Sequence, residues 1–208
     1  MHLHKGGFIM RAATAKLENF VLSVSPIAEI GYQRTYSASS LILLFFIFSG
    51  MGWIWEVILH IIEDGMIINR GVLAGPWLPI YGAGGILILL LLKKWRRQPF
   101  HLFGMIMLLC GTIEYFTSVM LEMLFGVRWW DYSDMLFQLR GRVCLEGLTI
   151  FGFGGLFIVY AAAPFLDNRI QKLSTQKRRI LCMLLLLLFT GDLLYSFLNP
   201  NMGFGITT

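Results

Sequence analysis

The chain has 208 residues, of which 57% are hydrophobic and only 14% charged, with a mean hydropathy of +0.70. That balance excludes a soluble domain of this length and describes a multi-span membrane protein. A net charge of +5 does not point to nucleic acid, because the basic residues gather at the ends of apolar stretches on one side.

Residues 1–40 read as a cytoplasmic tail without an apolar core of secretory type, so no cleaved signal peptide is expected. Within it Met10, Ala13, Leu17, Phe20, Val21 and Val24 share one side of a helical wheel, opposite Arg11, Glu18 and Asn19. This is the pattern of an interfacial amphipathic helix, a poorly ordered extension being the alternative. Residues 41–208 read as a single transmembrane domain. A spanning helix needs about 20 mostly apolar residues, and five stretches qualify: 41–62, 72–92, 100–125, 144–164 and 180–198. Lipid gives backbone groups no other partner, so the spans must be helical and the fold class is an all-α polytopic membrane bundle.

Along the first span, Ser49, Gly52, Glu56, His60 and Glu63 recur every three or four residues and share a face. The second span departs from a plain helix. Its start, GVLAGPWLPIYGAGG, sets Pro76 and Pro79 among five glycines, which rules against a regular helix before Pro79. If only 79–92 is helical, the element is too short to span and the preceding residues enter the membrane as irregular backbone. This is a broken or re-entrant span of the kind that builds transporter sites. The third span places Gly111, Glu114, Ser118 and Glu122 on one face. The loop GVRWWDYSDMLFQLRGR then mixes interfacial aromatics with Asp131, Asp134, Arg128, Arg140 and Arg142. It reads as an aromatic belt with ion pairs, or as a lid whose arginines face buried acids. Glu146 opens the fourth span, and Asp192, Tyr195, Ser196 and Asn199 line one face of the fifth.

Lys5, Arg11, Lys16 and Arg34 precede the first span, Lys93, Lys94, Arg96 and Arg97 follow the second, and Arg169, Lys172, Lys177, Arg178 and Arg179 follow the fourth. Only Arg70, Arg128, Arg140 and Arg142 fall on the other side. The positive-inside rule therefore puts the N-terminus in the cytoplasm and the C-terminus outside. In that orientation Glu122 and Glu146 lie about 5 Å from the outer ends of their spans, Glu56 and Asp192 about 9 Å, and Glu114 about 17 Å. Acids kept in apolar spans are costly and usually functional. Their common depth predicts a polar cavity that opens outward and ends near Glu114. Cys110, Cys144 and Cys182 lack C-x-x-C spacing and a clustered histidine, so neither a metal site nor a disulfide framework is expected.

Trp53 and Glu56, Asn69-Arg70-Gly71, GPWLPIYG over 75–82, Glu114-Tyr115 with Ser118, WWDYS over 129–133 and Gly141-Arg142 together resemble the bacterial membrane family called ABC-transporter type IV, or CmpB-like. The resemblance runs from about residue 41 to the end, with a weaker tail similarity in Asp192 to Ser196 and in Pro200-Asn201. Arg140 stands where an uncharged polar residue such as asparagine is expected, and the N-terminal tail lies outside the pattern. The resemblance implies a permease-like protein of the bacterial inner membrane.

The chain carries no G-x-x-x-x-G-K-[ST], so ATP dependence would need a separate ATPase subunit docking on 93–99 and 165–179. These short loops favour a homo-oligomer or a partnered subunit. Three readings follow. One is a transporter or permease component whose substrate site comprises Glu56, Glu114, Arg70, Pro76, Pro79, Tyr81, Asp131 and Arg142. Secondary candidates are His60, Asn69, Ser118, Glu122, Glu146 and Asp192. The second is an intramembrane enzyme acting on lipid or envelope precursors, with a glutamate as general base; the third is a non-catalytic membrane subunit. No cofactor is expected in this chain, and the partners are membrane lipid, the ATPase or further copies, not nucleic acid.

Overall fold

A computed structural model describes residues 31–202. The amphipathic helix read over 10–24 lies outside them. Among the described residues the order is α1 (Ala38–Asp64), α2 (Pro79–Leu91), a 3-10 turn (Lys93–Trp95), α3 (Pro99–Phe125), a two-stranded hairpin of β1 (Gln138–Leu139) and β2 (Val143–Cys144), α4 (Leu145–Phe157), a π-turn (Ile158–Ala162), α5 (Ala163–Gln171) and α6 (Thr175–Leu198). Through the π-turn, α4 and α5 form one 27-residue rod, which with α1, α3 and α6 gives four helices long and apolar enough to cross a membrane. The fold is an all-α membrane bundle.

The second apolar stretch is helical only from Pro79. Its 13 residues rise about 20 Å, short of a hydrocarbon core of about 30 Å. Pro79 occupies the first helical turn, where its missing N–H costs nothing. It also holds Leu78 in an extended conformation, φ −113° and ψ 99°, because the proline ring clashes with a helical predecessor. Residues 65–78 carry no regular structure.

Two of the helix limits differ from those read in the sequence. The fourth helix continues past Pro164 to Gln171 instead of stopping at 164. A proline at 164 offers no N–H to the carbonyl four residues back, and the helix widens into the π-turn just ahead of it. The last helix starts at Thr175, five residues earlier than read, because the Ser174 hydroxyl caps it by accepting from Lys177 N at 3.3 Å.

α2 packs chiefly on α1, and glycine sets how closely. A Cβ on Gly82 would stand 2.6 Å from the Phe45 carbonyl oxygen and 2.2 Å from Ser49 Oγ, and one on Gly52 2.3 Å from the Tyr81 ring. The approach lets Leu78 N donate to the Ser49 carbonyl at 3.0 Å. Below this contact the core is aliphatic, with Leu44, Leu89, Leu102, Ile106 and Val159 all but inaccessible.

Arg96 closes the end of the bundle where the basic residues gather. It is 1% exposed and donates to the carbonyls of Tyr32 (2.8 Å), Arg34 (2.9 Å) and Leu89, so it satisfies a terminal carbonyl of α2. Tyr160 Oη donates to the Arg96 carbonyl at 2.8 Å. Burial holds the guanidinium pKa below its ordinary value, opposed by Tyr36 and Tyr160. Alongside, Arg34 pairs with Asp167 at 3.1 Å and Gln171 donates to Ser40 Oγ at 3.0 Å.

Gly82→Ala should lower stability by about 1–3 kcal/mol, the usual cost of overpacking against atoms that cannot yield. Gly84→Ala, two residues on and with no atom within 4 Å of the added carbon, should be neutral or gain up to about 1 kcal/mol of helix propensity. Unfolding midpoints of the two variants in the same detergent check the contrast.

Candidate functional site

The irregular stretch before α2 brings its polar backbone against α6. The Asp192 carboxyl accepts from Ala74 N (3.2 Å), Gly75 N (3.1 Å), Trp77 Nε1 (2.6 Å) and Ser196 Oγ (3.0 Å), and Ser196 Oγ accepts from Ala74 N at 3.0 Å. These bonds give the non-helical backbone the partners that lipid cannot supply. Asn69 performs a similar task one turn earlier. Its side chain accepts from Trp53 Nε1 (2.6 Å) and donates to the Ala74 carbonyl (3.1 Å). Asn201 donates to the carbonyls of Asn69 (2.8 Å) and Gly71 (2.9 Å), and its own carbonyl accepts from Trp129 Nε1 at 3.2 Å.

Two carboxyl groups face phenols. Tyr81, in the first turn of α2, donates to Glu56 Oε1 at 2.5 Å, and Arg70 Nε stands 3.7 Å from Glu56 Oε2. Tyr132, from the loop between α3 and α4, donates to Glu114 Oε1 at 3.1 Å. Burial, and then the Glu114 charge, push the Tyr132 phenol well above its ordinary pKa, with a further push from Glu56. The phenol thus stays a donor at neutral pH. Glu114 is 3% exposed, and its Oε2 has no hydrogen-bond partner among the described residues. Glu56, Tyr81, Tyr132 and Glu114 make one cluster, each within electrostatic reach of another.

Below the cluster a cavity of about 650 Å³ runs between α1 and α4, with α2 and α3 behind it. Its lining is nearly all apolar, with Glu114, Tyr81 and Cys110 as the ionisable groups among the described residues that line it. The sequence led us to expect a polar chamber opening outward. The acids instead spend most of their oxygens on phenols, arginines and backbone amides, and the space left beside Glu114 is greasy.

The remaining candidates fall into separate groups. Arg142 is 9% exposed. It ion-pairs with Glu122 and donates to Ser118 Oγ at 2.9 Å, and Arg128 Nε joins Glu122 at 3.0 Å. Arg142 therefore serves Glu122, and Arg70 is the cation beside Glu56. Asp131 Oδ1 accepts from Ser133 N (2.9 Å) and Oγ (2.6 Å). The Ser133 hydroxyl is the main cause that holds the Asp131 pKa below the usual carboxylate value. Asp131 abuts Gly141 rather than the glutamates. His60 pairs with Asp64 at 2.6 Å, apart from the Glu56 contacts. Glu146 is exposed in the first turn of α4, Pro76 is exposed, and Pro79 shapes the entry to α2. Tyr132, Trp77 and Ser196 were not singled out as site residues in the sequence. Trp77 and Tyr132 stood within the quoted motifs, but spacing alone cannot say which partners a loop will meet. Among the described residues no three His, Cys, Asp or Glu side chains group to hold a metal ion.

The loop between α3 and α4 folds as one unit with the hairpin. Tyr132 N donates to the Gly141 carbonyl (2.7 Å) and Trp130 Nε1 to the Arg142 carbonyl (2.9 Å). The tight turn between β1 and β2 is closed by Arg142 N on the Leu139 carbonyl at 3.0 Å. Both central residues have positive φ, 54° at Arg140 and 68° at Gly141. Asparagine and glycine adopt that conformation with least strain, which is the physical sense of the asparagine expected at position 140.

The family model described as "Putative ABC-transporter type IV" matches residues 43–197, about three quarters of the chain. The match takes in every residue of the two carboxyl–phenol pairs and ends before Pro200 and Asn201. No curated protein and no solved structure matches the chain.

Asp192→Ala strips the acceptor from the Gly75 amide and the Trp77 indole N–H, and leaves Ala74 N on Ser196 Oγ alone. It should cost about 1–3 kcal/mol, read as a lowered unfolding midpoint together with faster proteolysis within 65–78. Arg140→Asn should raise the midpoint by the equivalent of about 1 kcal/mol, the strain that a side chain other than asparagine or glycine carries in the left-handed region.

Proposed function

Given that the chain belongs to the family "Putative ABC-transporter type IV", we propose that it is the permease-like membrane component of a transporter in the bacterial cytoplasmic membrane, with the Glu56–Tyr81 and Tyr132–Glu114 pairs as its solute site. The observation that carries this reading is the convergence of two intramembrane carboxyl groups on the first turn of a broken helix. Discontinuous helices of this kind form binding sites in transporters, because they place free backbone ends and side chains at membrane depth.

The orientation follows from charge. The end of the bundle closed by Arg96 and Arg34 faces the cytoplasm, and the carboxyl–phenol cluster lies in the outer half. The solute is small and either polar or cationic. Each glutamate offers it an oxygen, while the phenols hold the other oxygens in place and Arg70 tempers the charge at Glu56. The energy source is a separate ATPase subunit or an ion gradient acting through these acids. The connections at the cytoplasmic end are short, the 3-10 turn with its flanks and residues 172–174. A partner there would read helix ends, and further copies of the chain would enlarge the surface.

The test is uptake into proteoliposomes of a mixed panel of amines, amino acids and polyols, followed by mass spectrometry. Glu56→Gln and Glu114→Gln, inserted to wild-type levels, should each lower uptake of the carried solute at least tenfold. Uptake that matches wild type in both variants overturns the reading.

A further inference from the structure

The groove below the cluster has a composition that selects a ligand. Its volume of about 650 Å³ falls within the range of about 300–1,000 Å³ that holds drug-sized molecules. Its rim includes the exposed side chains of Met51 and Trp55 from α1 and of Ile150, Phe153 and Phe157 from α4. These sit on lipid-facing surfaces, so the groove opens sideways toward the acyl chains. Gly84 and Gly154 line it, and a Cβ at either would meet nothing within 4 Å; the space there is unfilled.

Aromatic rings and one acid define its chemistry. Phe48, Trp55, Tyr81 and Phe151 line the groove together with Glu114, and the Tyr81 and Phe151 rings pack edge to face at 6.2 Å. Among the described residues the lining has no lysine, arginine or histidine. Glu114 Oε2, buried and without a hydrogen-bond partner, is the unfilled acceptor in this wall. A hydrocarbon chain lying in the groove would shut water away from that oxygen and give it no donor in return. An anion would meet like charge. A protonated amine on an apolar body satisfies every surface present: the carboxyl oxygen takes its N–H, the rings face its charge, and the apolar walls bury the rest.

We propose that this lateral groove binds a lipophilic cation, an apolar body bearing a single protonated amine, with the ammonium group on Glu114 and the body entering from the membrane between α1 and α4. The proposal gives the transporter site its ligand class and rests on that reading.

The probe is dodecylammonium, compared with dodecanol and dodecanoate at equal concentration, with binding to the detergent-solubilised protein counted by native mass spectrometry. The ammonium should bind 1:1 and at least tenfold more tightly than either control. Glu114→Gln should remove that preference. Gly154→Leu, which leaves Glu114 in place and fills open space, should abolish binding outright. The inference is overturned by equal binding of alcohol and ammonium, which would make the groove an acyl-chain slot. It is equally overturned by a tightly retained phospholipid or a dimer lost on Gly154→Leu, which would identify another occupant, or by no binding of the ammonium at all. The two readings can fail apart. Dodecylammonium that binds in a Glu114-dependent way while panel uptake is unaffected by either glutamine variant removes the transporter reading and keeps the site. Uptake that depends on both glutamates without dodecylammonium binding does the reverse.

Discussion

Every backbone amide between the end of α1 and Pro79 that lies at membrane depth needs a protein acceptor, because lipid offers none. Asp192 meets two of those amides from a single carboxyl group, binding Ala74, Gly75 and the Trp77 indole at once. The position of α2 depends on this clamp. With 74–77 fixed, Leu78 reaches the Ser49 carbonyl, Pro79 can begin a helix, and Tyr81 lands one turn later beside Glu56. A carboxylate that looks like a candidate ligand in the sequence is thus consumed in making non-helical backbone tolerable inside a bilayer.

The other acids divide in the same way. Glu122 is shared by Arg128 and Arg142, Asp131 by a local turn, and Asp167 by Arg34. At buried Asp167 the pairing offsets the cost of holding a charge away from water, whereas Glu122 and Asp131 keep contact with solvent. Glu56 is intermediate, with a phenol on one oxygen and Arg70 at 3.7 Å from the other. Glu114 stands at the far end of the series, more buried than Glu56 and with one oxygen left over. What sets Glu114 apart from the other acids is the count of partners on its oxygens, and depth along the helix alone does not report it.

Much of the fold was legible because membrane helices obey few rules. Length and apolarity located the long helices, and the two prolines told that the second stretch would become regular only at Pro79. The limits that went unread have local causes: Ser174 capping an earlier start, and a π-turn carrying the fourth helix beyond Pro164. The candidate site offered its acids and family motifs to the reader of the sequence, but not its connections. Periodicity puts Glu56 and His60 on one face, yet His60 turns to Asp64 and Glu56 to Tyr81, 25 positions away. Nor does composition reveal that the space beside Glu114 is apolar, since that follows from which faces of α1 and α4 are left apart.

The π-turn has a consequence for that separation. One residue added to a helix rotates everything beyond it by about 100° relative to an unbroken register. The glycine-bearing face of α4, with Gly154 at the groove, and the face of α5 that offers Asp167 and Gln171 to Arg34 and Ser40 are therefore set at a different angle from the one an unbroken helix would give, although they belong to one rod. The rod behaves as two tools on a single shaft, set at an angle that the extra residue fixes: one half shapes the groove and the other fastens the bundle at its basic end.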